Sequence, residues 1–556
     1  MTHKIEIFCK NLGKTIEVSG GETLLEIAGR LGIMPDGMRP IVALVNNKTE
    51  PLGYAVYGPK QVEFLSRSSA PGTRAYTRSL CMMLYCAVRK HLPDTRLRIE
   101  HSISGGYYCR LIPQPADENI TSTLLESMRR LHELALPFCQ RETLSTELID
   151  KFRSEGMDDK VLLLETIQNL YSSYSTLDGV ADSYYGALAP STAEIDTFDL
   201  KPWKEGYLLM GVDRKEPKKP AVFVPQDKMY EAYIDHLHFN DVIGVSDVGQ
   251  LNREIELNHS SYLIQVAEAM HSRKIGKIAD EIAGRYHQGG ARIVLIAGPS
   301  SSGKTTTTKR LAIYLTTNLL KPKMISLDNY FVNRDLTPRD ADGDFDFESI
   351  YALDLKAFNA DLSALLRGEE VALPTYNFER GERVYKGDKM RLDDNSLLLI
   401  EGIHGLNPML TAQIEEKMKY RVYVSALTTL SIDDHNWIPT TDNRLLRRII
   451  RDYKYRGTSA VETIRRWPSV RRGEEKWIFP YQENADSTFN SSLLFELAVM
   501  KDYAETILRD VPNNLPEYAE AYRLRRFLSY FKAIGEKGIP STSLLREFLG
   551  GSSFHY

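Results

Sequence analysis

The sequence predicts an α/β protein in which a domain with a parallel sheet follows a β-rich domain and an α+β domain. Three observations predict this fold. The apolar run 293–297 precedes a glycine-rich loop and a helical pattern, as expected where a buried parallel strand leads into a helix. Two further strand-like runs, 324–327 and 397–400, each end beside an acidic residue. Residues 1 to about 66 instead alternate polar and apolar side chains, which is typical of strands with one buried face.

The glycine-rich loop at residues 298–305 fits the phosphate-binding pattern G-x-x-x-x-G-K-[ST]. Gly298 and Gly303 let the backbone curl so that its N–H groups meet phosphate oxygens at a helix N-terminus. Lys304 is expected to reach the β- and γ-phosphates, and the hydroxyl of Thr305 to ligate Mg²⁺. The predicted nucleotide-binding residues are Gly298, Pro299, Ser300, Ser301, Ser302, Gly303, Lys304, Thr305 and Thr306.

Length and composition limit the functional classes. The 556 residues predict two to four domains, and the net charge of −4 argues against a broad nucleic-acid-binding surface. No apolar run approaches the ~18 residues that a membrane-spanning helix needs, and residues 1–12 lack a signal-peptide core. The five cysteines form no C-x-x-C pair, so we expect reduced, buried thiols in a cytoplasmic protein.

The first domain, residues 1–66, is predicted to be a β-grasp. Two strands, a helix from Glu22 to Leu31 and further strands follow one another, with the strands expected at 5–9, 16–18, 40–45 and 61–65. This order and the phrase Gly-Glu-Thr-Leu at 21–24 resemble the TGS domain at the start of threonyl-tRNA synthetases.

The second domain, residues 67–213, resembles the second N-terminal domain of the same synthetases, through motifs at 78–88, 105–108 and 182–192. In the synthetases this domain carries H-x-x-x-H and C-x-x-x-H, whose side chains converge on an editing centre. The matching positions here are Arg78, Met82, Tyr184 and Leu188, which do not suit a thiol–imidazole site. We therefore expect a degenerate editing-like domain that regulates or oligomerises the chain and does not catalyse.

Two segments flank the predicted nucleotide-binding domain, which covers residues 291–500. Residues 214–290 are predicted to be a linker and helical connection, with a charged, proline-rich start at 214–220 and a long amphipathic helix from Leu263 to Arg285. Residues 501–556 are predicted to be a C-terminal helical extension.

Acidic and basic side chains downstream of the loop indicate the chemistry. Asp328 and Glu401 follow predicted parallel strands, so both carboxylates are expected beside the phosphate loop. Asp328 is suited to accept a hydroxyl proton or bind Mg²⁺, and Glu401 to support Mg²⁺. The helix predicted over 442–456 has arginines at i, i+3, i+4 and i+7 on one face. It predicts either a solvated basic face or a lid in which Arg444, Arg448 and Arg451 neutralise transferring phosphate.

Taken together, these motifs resemble the uridine kinase family, which is close to phosphoribulokinase. The matching segments, in family order, are 298–305, 327–331, 344–347, 374–378, 400–403 and 444–452. The resemblance implies a P-loop kinase fold with a parallel sheet and a helical lid. It implies that Asp328 is the general base, that Asp346 holds ribose hydroxyls, and that Tyr376 and Phe378 line a base pocket. The sequence departs from the family where no histidine follows Phe378 and no His-Pro follows Asp346.

The main functional hypothesis is ATP- and Mg²⁺-dependent phosphorylation of a nucleoside 5′-hydroxyl, such as that of uridine. Its predicted catalytic residues are Asp328, Lys304, Arg444, Arg448 and Arg451, and its predicted metal ligands are Thr305 and Glu401. A second hypothesis keeps the kinase and makes the acceptor a sugar phosphate or another small alcohol, with Arg380 and Arg383 as added cations. A third is a nucleotide-gated RNA-binding or regulatory protein. The negative net charge disfavours nucleic acid as the main partner, while tRNA and a homo-oligomer stay open.

Overall fold

The computed structural model describes residues 4–213, 215–340 and 343–555. Arg214, the first residue of the predicted linker, lies outside the described residues. So do 1–3, at the start of the predicted first domain, and Tyr556, at the end of the predicted extension.

The N-terminal unit is a five-stranded sheet crossed by one helix. Its strands lie in the order β2-β1-β5-β3-β4, and β1 pairs with β5 in parallel while the other pairs are antiparallel. The helix begins two residues later than the predicted Glu22, because Thr23 is its N-cap and forms a capping box with Glu26. The bounds are β1 Lys4–Cys9, β2 Lys14–Ser19, α1 Leu24–Leu31, β3 Val42–Val45, β4 Lys48–Pro51 and β5 Lys60–Leu65.

The second unit surrounds a long buried helix, α2 (Ala70–His91), with two antiparallel sheets. The first sheet has the order β11-β12-β7-β6 and the second the order β10-β9-β8. The other bounds are β6 Arg96–Ile103, β7 Gly106–Ile112, α3 Ile120–Leu134, β8 Cys139–Leu144, α4 Ser145–Ser154, α5 Asp158–Ile167, β9 Tyr171–Leu177, β10 Val180–Asp182, β11 Asp199–Trp203 and β12 Gly206–Met210.

Three helices connect the front of the chain to the large sheet: α6 Asp227–Ile243, α7 Val248–Glu256 and α8 Ser260–His287. The helix predicted from Leu263 to Arg285 is therefore slightly longer than expected. It is also more than a connection, since Ile278 and Ile282 of α8 pack under the large sheet in one core with Leu311.

The third unit is built on the parallel sheet that the sequence predicted. It has five strands, in the order β14-β17-β13-β18-β21. One face packs against α8 and α9, and the other against α10. Glu401 pairs in register with both Ile296 and Ser326, which sets three strand ends side by side. The bounds are β13 Ile293–Ala297, α9 Lys304–Thr317, β14 Lys321–Ser326, α10 Leu355–Leu366, β15 Val371–Asn377, β16 Glu382–Met390, β17 Ser396–Glu401, β18 Lys419–Ser425 and β21 Ser487–Asn490.

The remaining elements pack around this sheet. A short hairpin, β19 Ser431–Asp433 with β20 Asn436–Trp437, lies between β18 and the arginine-rich helix and reaches into the second unit. The predicted C-terminal extension is an integral part of the fold, since Leu544 and Phe548 are buried under the sheet. The helices are α11 Thr440–Arg456, α12 Ala460–Trp477, α13 Glu496–Arg509, α14 Tyr518–Leu528 and α15 Arg546–Leu549.

The helices and the cysteines bear on the expectations drawn from the composition. None of the helices in the described ranges is long and apolar enough to cross a bilayer. All five cysteines are free thiols; four are buried as expected, but Cys139 on the edge strand β8 is exposed.

Candidate active site

The phosphate loop joins β13 to α9, and its two glycines are required by close contacts. A Cβ atom at Gly298 would lie 2.0 Å from the carbonyl oxygen of Val424 on the neighbouring strand. Gly303 has φ +83°, a backbone conformation that other residues rarely adopt, and it directly precedes α9. The loop therefore curls tightly against the sheet and aims the N-terminus of α9 at the space above the strand ends.

The side chains after the second glycine meet the acid of β17. Lys304 donates a 3.1 Å hydrogen bond to the carbonyl oxygen of Pro299, and the hydroxyl of Thr305 lies 3.1 and 3.2 Å from the two carboxylate oxygens of Glu401. Burial lowers the pKa of Lys304, although the nearby Glu401 and Asp328 oppose this shift. The parallel register of β13 and β17 thus brings together residues nearly 100 positions apart.

Asp328 stands two residues beyond the end of β14, in the turn 327–330. Its carboxylate is reachable by solvent but lies in a cleft walled by protein, and this partial loss of hydration raises its pKa, against the lowering effect of Lys304. A carboxylate beside the cation of the phosphate loop is well placed to accept a proton from a substrate hydroxyl.

The residues at this point fit a magnesium ion. Thr305 and Glu401 offer oxygen ligands of the kind that Mg²⁺ takes from proteins, with phosphates and waters completing the shell. Burial raises the pKa of Glu401 to about 7, and the neighbouring Asp328 and Glu547 add to the shift while Lys304 opposes it. A divalent cation would relieve this crowding of negative charge. Within the described ranges, no group of three or more His, Cys, Asp or Glu side chains forms a metal site by itself.

The first half of the arginine-rich helix α11 is buried beside the phosphate loop. Arg444 and Arg447 are fully buried and form ion pairs with Glu474 and Glu496. Arg444 donates a 2.9 Å hydrogen bond to the carbonyl oxygen of Ser300. Arg444 therefore holds the main chain of the phosphate loop, with its guanidinium buried. The first half of α11 is held in place because its buried arginines form ion pairs in the core.

Three residues of the second half of α11, Arg451, Tyr455 and Arg456, line a cleft beside the phosphate loop. Arg448 donates to the hydroxyl of Ser300 at 2.8 Å, and Arg451 pairs with Asp452 at 3.0 Å. Arg451 and Arg456 are close enough to lower the pKa of Asp328, which burial raises. A cleft of about 600 Å³ lies here, lined by Thr305, Thr308, Lys309, Met324, Ile325, Ser326, Asn329, Glu401, Arg451, Tyr455, Arg456 and Glu547.

The predicted acceptor residues surround an aromatic cluster beside Asp328. The ring of Phe331 lies 5.6 Å from Tyr376 and 6.4 Å from Phe378, and the last two rings are 5.1 Å apart. Tyr376 is buried whereas Phe378 is exposed, so one aromatic face is open. Asp346 is half-buried, and its backbone N–H donates to the carbonyl oxygen of Pro338 at 2.8 Å.

Glu474 and Glu348 are among the carboxylates near the phosphate loop that the sequence did not predict. Glu474 of α12 is fully buried, accepts a 3.1 Å hydrogen bond from the backbone N–H of Ser300, and pairs with Arg444 and Arg471. Burial raises the pKa of Glu348 to about 7, with Glu474 adding to the shift and Arg448 opposing it. Glu348 lies in the segment that lacks the His-Pro of the resembled family. That departure was the one sign in the sequence that pointed to Glu348. Nothing in the local sequence marked Glu474.

The known proteins to which this chain is similar match it in the third unit. Residues 293–494 match the model of the phosphoribulokinase / uridine kinase family. The chain is 30% identical over 195 residues to the uridine kinase of Schizosaccharomyces pombe, an overlap of 35% of this chain and 37% of the relative. It is 26% identical over 193 residues to the uridine kinase of Halobacterium salinarum, an overlap of 34% and 76%. A solved structure described as a possible uridine kinase from Bacillus stearothermophilus has 18% identity and a TM-score of 0.25, covering 36% of this chain and 89% of its own.

These matches concern one part of the molecule. The chain spans 37% of the length of the Schizosaccharomyces pombe relative, and residues before 293 lie outside the matched family region. Within that region the strand, the phosphate loop, the two acids and the parallel sheet occur together. Residues 293–494 are a domain of the phosphoribulokinase / uridine kinase family with an α/β P-loop kinase fold.

Proposed function

We propose that the protein is a kinase that transfers the γ-phosphoryl group of ATP, with Mg²⁺, to the 5′-hydroxyl of a nucleoside. One observation carries the proposal: Lys304, Asp328 and the Thr305–Glu401 pair meet at one edge of the sheet, next to an open aromatic cluster. Phosphoryl transfer needs phosphate binding, a base and positioned positive charge in one place.

The residues divide the reaction between them. The loop amides and Lys304 hold the phosphates, and Asp328 orients the acceptor hydroxyl and takes up its proton. Arg448 and Arg451 lie where positive charge offsets the charge of the transferring group. Thr305 and Glu401 would hold Mg²⁺, which neutralises phosphate charge when bound. Arg444, Arg447 and Glu474 keep the loop in shape before any ligand arrives. Catalysis here is therefore chiefly positioning and electrostatics.

The acceptor side favours a nucleoside over a sugar phosphate. Phe331, Tyr376 and Phe378 form a cluster of tilted and edge-to-face rings, and the exposed ring of Phe378 offers a π-face to a base. Arg383, one of the two arginines considered for a second phosphate, is tied to Asp354 at 2.9 Å. Arg380 lies with Arg334 on a separate cavity of about 410 Å³, so a sugar-phosphate acceptor remains the second candidate.

The test is a product assay with ATP, Mg²⁺ and a panel of acceptors that includes uridine, cytidine, purine nucleosides and pentose phosphates. Formation of a nucleoside 5′-monophosphate with the highest kcat/KM supports the proposal. A sugar bisphosphate as the sole product would replace it with the second candidate. Tight tRNA binding at physiological salt without any turnover would favour the RNA-binding hypothesis.

We further propose that the first unit is a TGS-like β-grasp and the second a degenerate editing-like domain, and that both regulate the kinase. The four replaced editing positions support this. Met82 and Leu188 are buried in an apolar core, and the guanidinium of Arg78 lies 4.8 Å above the ring of Tyr185. The four positions therefore supply neither thiol nor imidazole groups, and two of them are part of the apolar core.

The hairpin 431–437 is the route by which the second unit could act on the kinase. His435 binds Asp182 at 2.8 Å, Lys160 binds both Asp182 and Asp433, and Arg96 forms a two-pronged ion pair with Asp434. All these kinase-side residues lie just before α11, the helix that grips the phosphate loop. A ligand that shifts the second unit would therefore pull on the start of α11.

A further inference from the structure

The C-terminal helix places a carboxylate on the phosphate loop. Glu547 of α15 accepts hydrogen bonds from the backbone N–H of Thr306, at 3.2 Å, and from its hydroxyl, at 2.5 Å. Thr306 belongs to the first turn of α9, where unsatisfied N–H groups and the helix dipole favour an anion. In a phosphate loop that anion is a phosphate group of the nucleotide.

The helix that carries Glu547 is firmly attached. Leu544, Leu545, Phe548 and Leu549 are buried in the core, and Arg546 binds Glu536 at 2.9 Å. The side chain of Leu544 also covers Gly303, where a Cβ atom would approach it to 2.8 Å. Glu547 itself is half-buried and lines the same cleft as Thr305 and Glu401. Its carboxylate can therefore leave Thr306 by rotation of its own side chain, while α15 stays in place.

We propose that Glu547 is an internal competitor for the nucleotide: its carboxylate binds the N–H of Thr306 and must be displaced from it by a phosphate group of ATP. This inference rests on the proposed kinase function and identifies a residue that sets nucleotide affinity. Two like charges cannot share one N–H donor, so the chain binds ATP only from the state in which Glu547 has turned away. The measured affinity falls in proportion to the population of that state.

The matched contrast is Glu474. It also accepts from a loop N–H, that of Ser300, but it is fully buried and paired with Arg444 and Arg471. Glu474 is therefore a fixed part of the loop, whereas Glu547 stands at the edge of an open cleft. Asp510 offers the control: it carries the same charge and is exposed at the C-terminal end of α13.

The test is calorimetric titration of the full chain with ATP and with adenosine, for the wild type, Glu547→Gln and Asp510→Asn. We expect Glu547→Gln to bind ATP about tenfold more tightly, the size of effect typical of a hydrogen bond to a charged group. Asp510→Asn should keep the wild-type affinity for ATP, and adenosine, which lacks phosphate, should not distinguish the variants. Glu547→Asp, whose carboxylate is one methylene shorter, should fall between Gln and the wild type.

Equal or weaker ATP binding by both Glu547→Gln and Glu547→Asp, in chains that melt like the wild type, would overturn the role of Glu547 and leave the kinase proposal standing. If neither the wild type nor the variants bind ATP, the proposed function fails and the competitor role with it. The two failures are distinguished by the wild-type titration alone. In the absence of nucleotide, Glu547→Gln should melt slightly below the wild type because the contact with Thr306 is weakened.

Discussion

The guanidinium of Arg444 donates a 2.9 Å hydrogen bond to the carbonyl oxygen of Ser300, although the two residues are 144 positions apart. The arginine-rich helix thus supports the phosphate loop from behind. Its buried charge is balanced by Glu474, which itself holds the N–H of Ser300. The phosphate loop, α11 and Glu474 are therefore each bound to the other two.

Replacing Arg444 by Met should destabilise this arrangement strongly. It leaves the fully buried Glu474 with less positive charge, and removal of one partner of a buried ion pair costs about 3–5 kcal/mol. We expect a clearly lower melting temperature and weaker ATP binding in the same variant. Arg466→Met, at an exposed position of α12, is the control and should change stability by less than about 0.5 kcal/mol. A variant that melts normally would show that Glu474 is neutralised by Arg471 alone.

Asp328→Asn should separate catalysis from nucleotide binding. The carboxamide keeps the shape of the side chain but cannot take up a proton, so kcat should fall by roughly 10²–10⁴ with the best acceptor. The dissociation constant for ATP should stay close to that of the wild type. Asp394→Asn, at an exposed turn before β17, should retain full turnover. Full activity of Asp328→Asn would remove this residue from the role of base.

Phe378→Ala should act on the acceptor alone. Phe378 is the exposed member of the aromatic cluster, and a stacked base contributes about 1–3 kcal/mol. The KM for a nucleoside should rise roughly tenfold or more, with unchanged affinity for ATP. Phe8→Ala, on the N-terminal sheet, removes an exposed ring elsewhere and should leave both constants unaltered. An unchanged KM in Phe378→Ala would place the base outside this cluster.

Asp247→Asn should change how stability depends on pH. Burial raises the pKa of Asp247 to about 7, and Asp159 and Asp434 add to the shift against the hydrogen bond from the N–H of Gln250. Because the pKa of Asp247 is higher in the folded than in the unfolded state, protonated Asp247 contributes to the free energy of unfolding fully below about pH 4. This contribution is lost as pH rises through about 7.

The neutral amide of Asp247→Asn avoids that loss and is still a good N-cap for α7. Calorimetry should therefore show the variant melting about 2–5 °C above the wild type at pH 8, with little difference at pH 5. A constant offset at both pH values would mean that Asp247 stays ionised throughout.

Arg96→Ala should test the link from the second unit to the active site. Arg96 holds the buried Asp434 in the hairpin before α11. Loss of this pair should lower the melting temperature and reduce kcat, because the start of α11 is no longer fixed. Lys90→Ala, exposed on the same unit, is the matched control. Wild-type turnover in a destabilised Arg96→Ala would mean that the hairpin joins the units without affecting catalysis.

One part of the donor side could be predicted from contiguous sequence, and the other part from the geometry of a parallel sheet. The strand 293–297, the glycine loop and α9 follow one another, and parallel-strand geometry alone brings Asp328 and Glu401 to the loop. The parallel sheet predicted from these runs is confirmed.

The interior contacts could not be predicted in the same way. Arg444 and Arg447 have the spacing of a solvent-facing stripe, and their burial depends on Glu474 and Glu496, which are 30 and 49 residues further along. Neither glutamate belongs to a motif. The same holds for Glu547, whose position on the loop follows from the packing of the last helix against the sheet. Pairings between distant segments carry no periodic signal in the sequence.

The hairpin between Ser431 and Trp437 also affects the order in which buried contacts can form while the chain is being synthesised. Asp182 and its partner His435 are separated by 253 residues, a length that a ribosome translates in roughly 10–50 s. Until then Lys160 and Asp182, both buried in the finished molecule, lack the partners that the hairpin supplies, Asp433 and His435. The second unit is therefore synthesised early but completed late, and its last buried ion pairs form only after the strands around the phosphate loop have emerged.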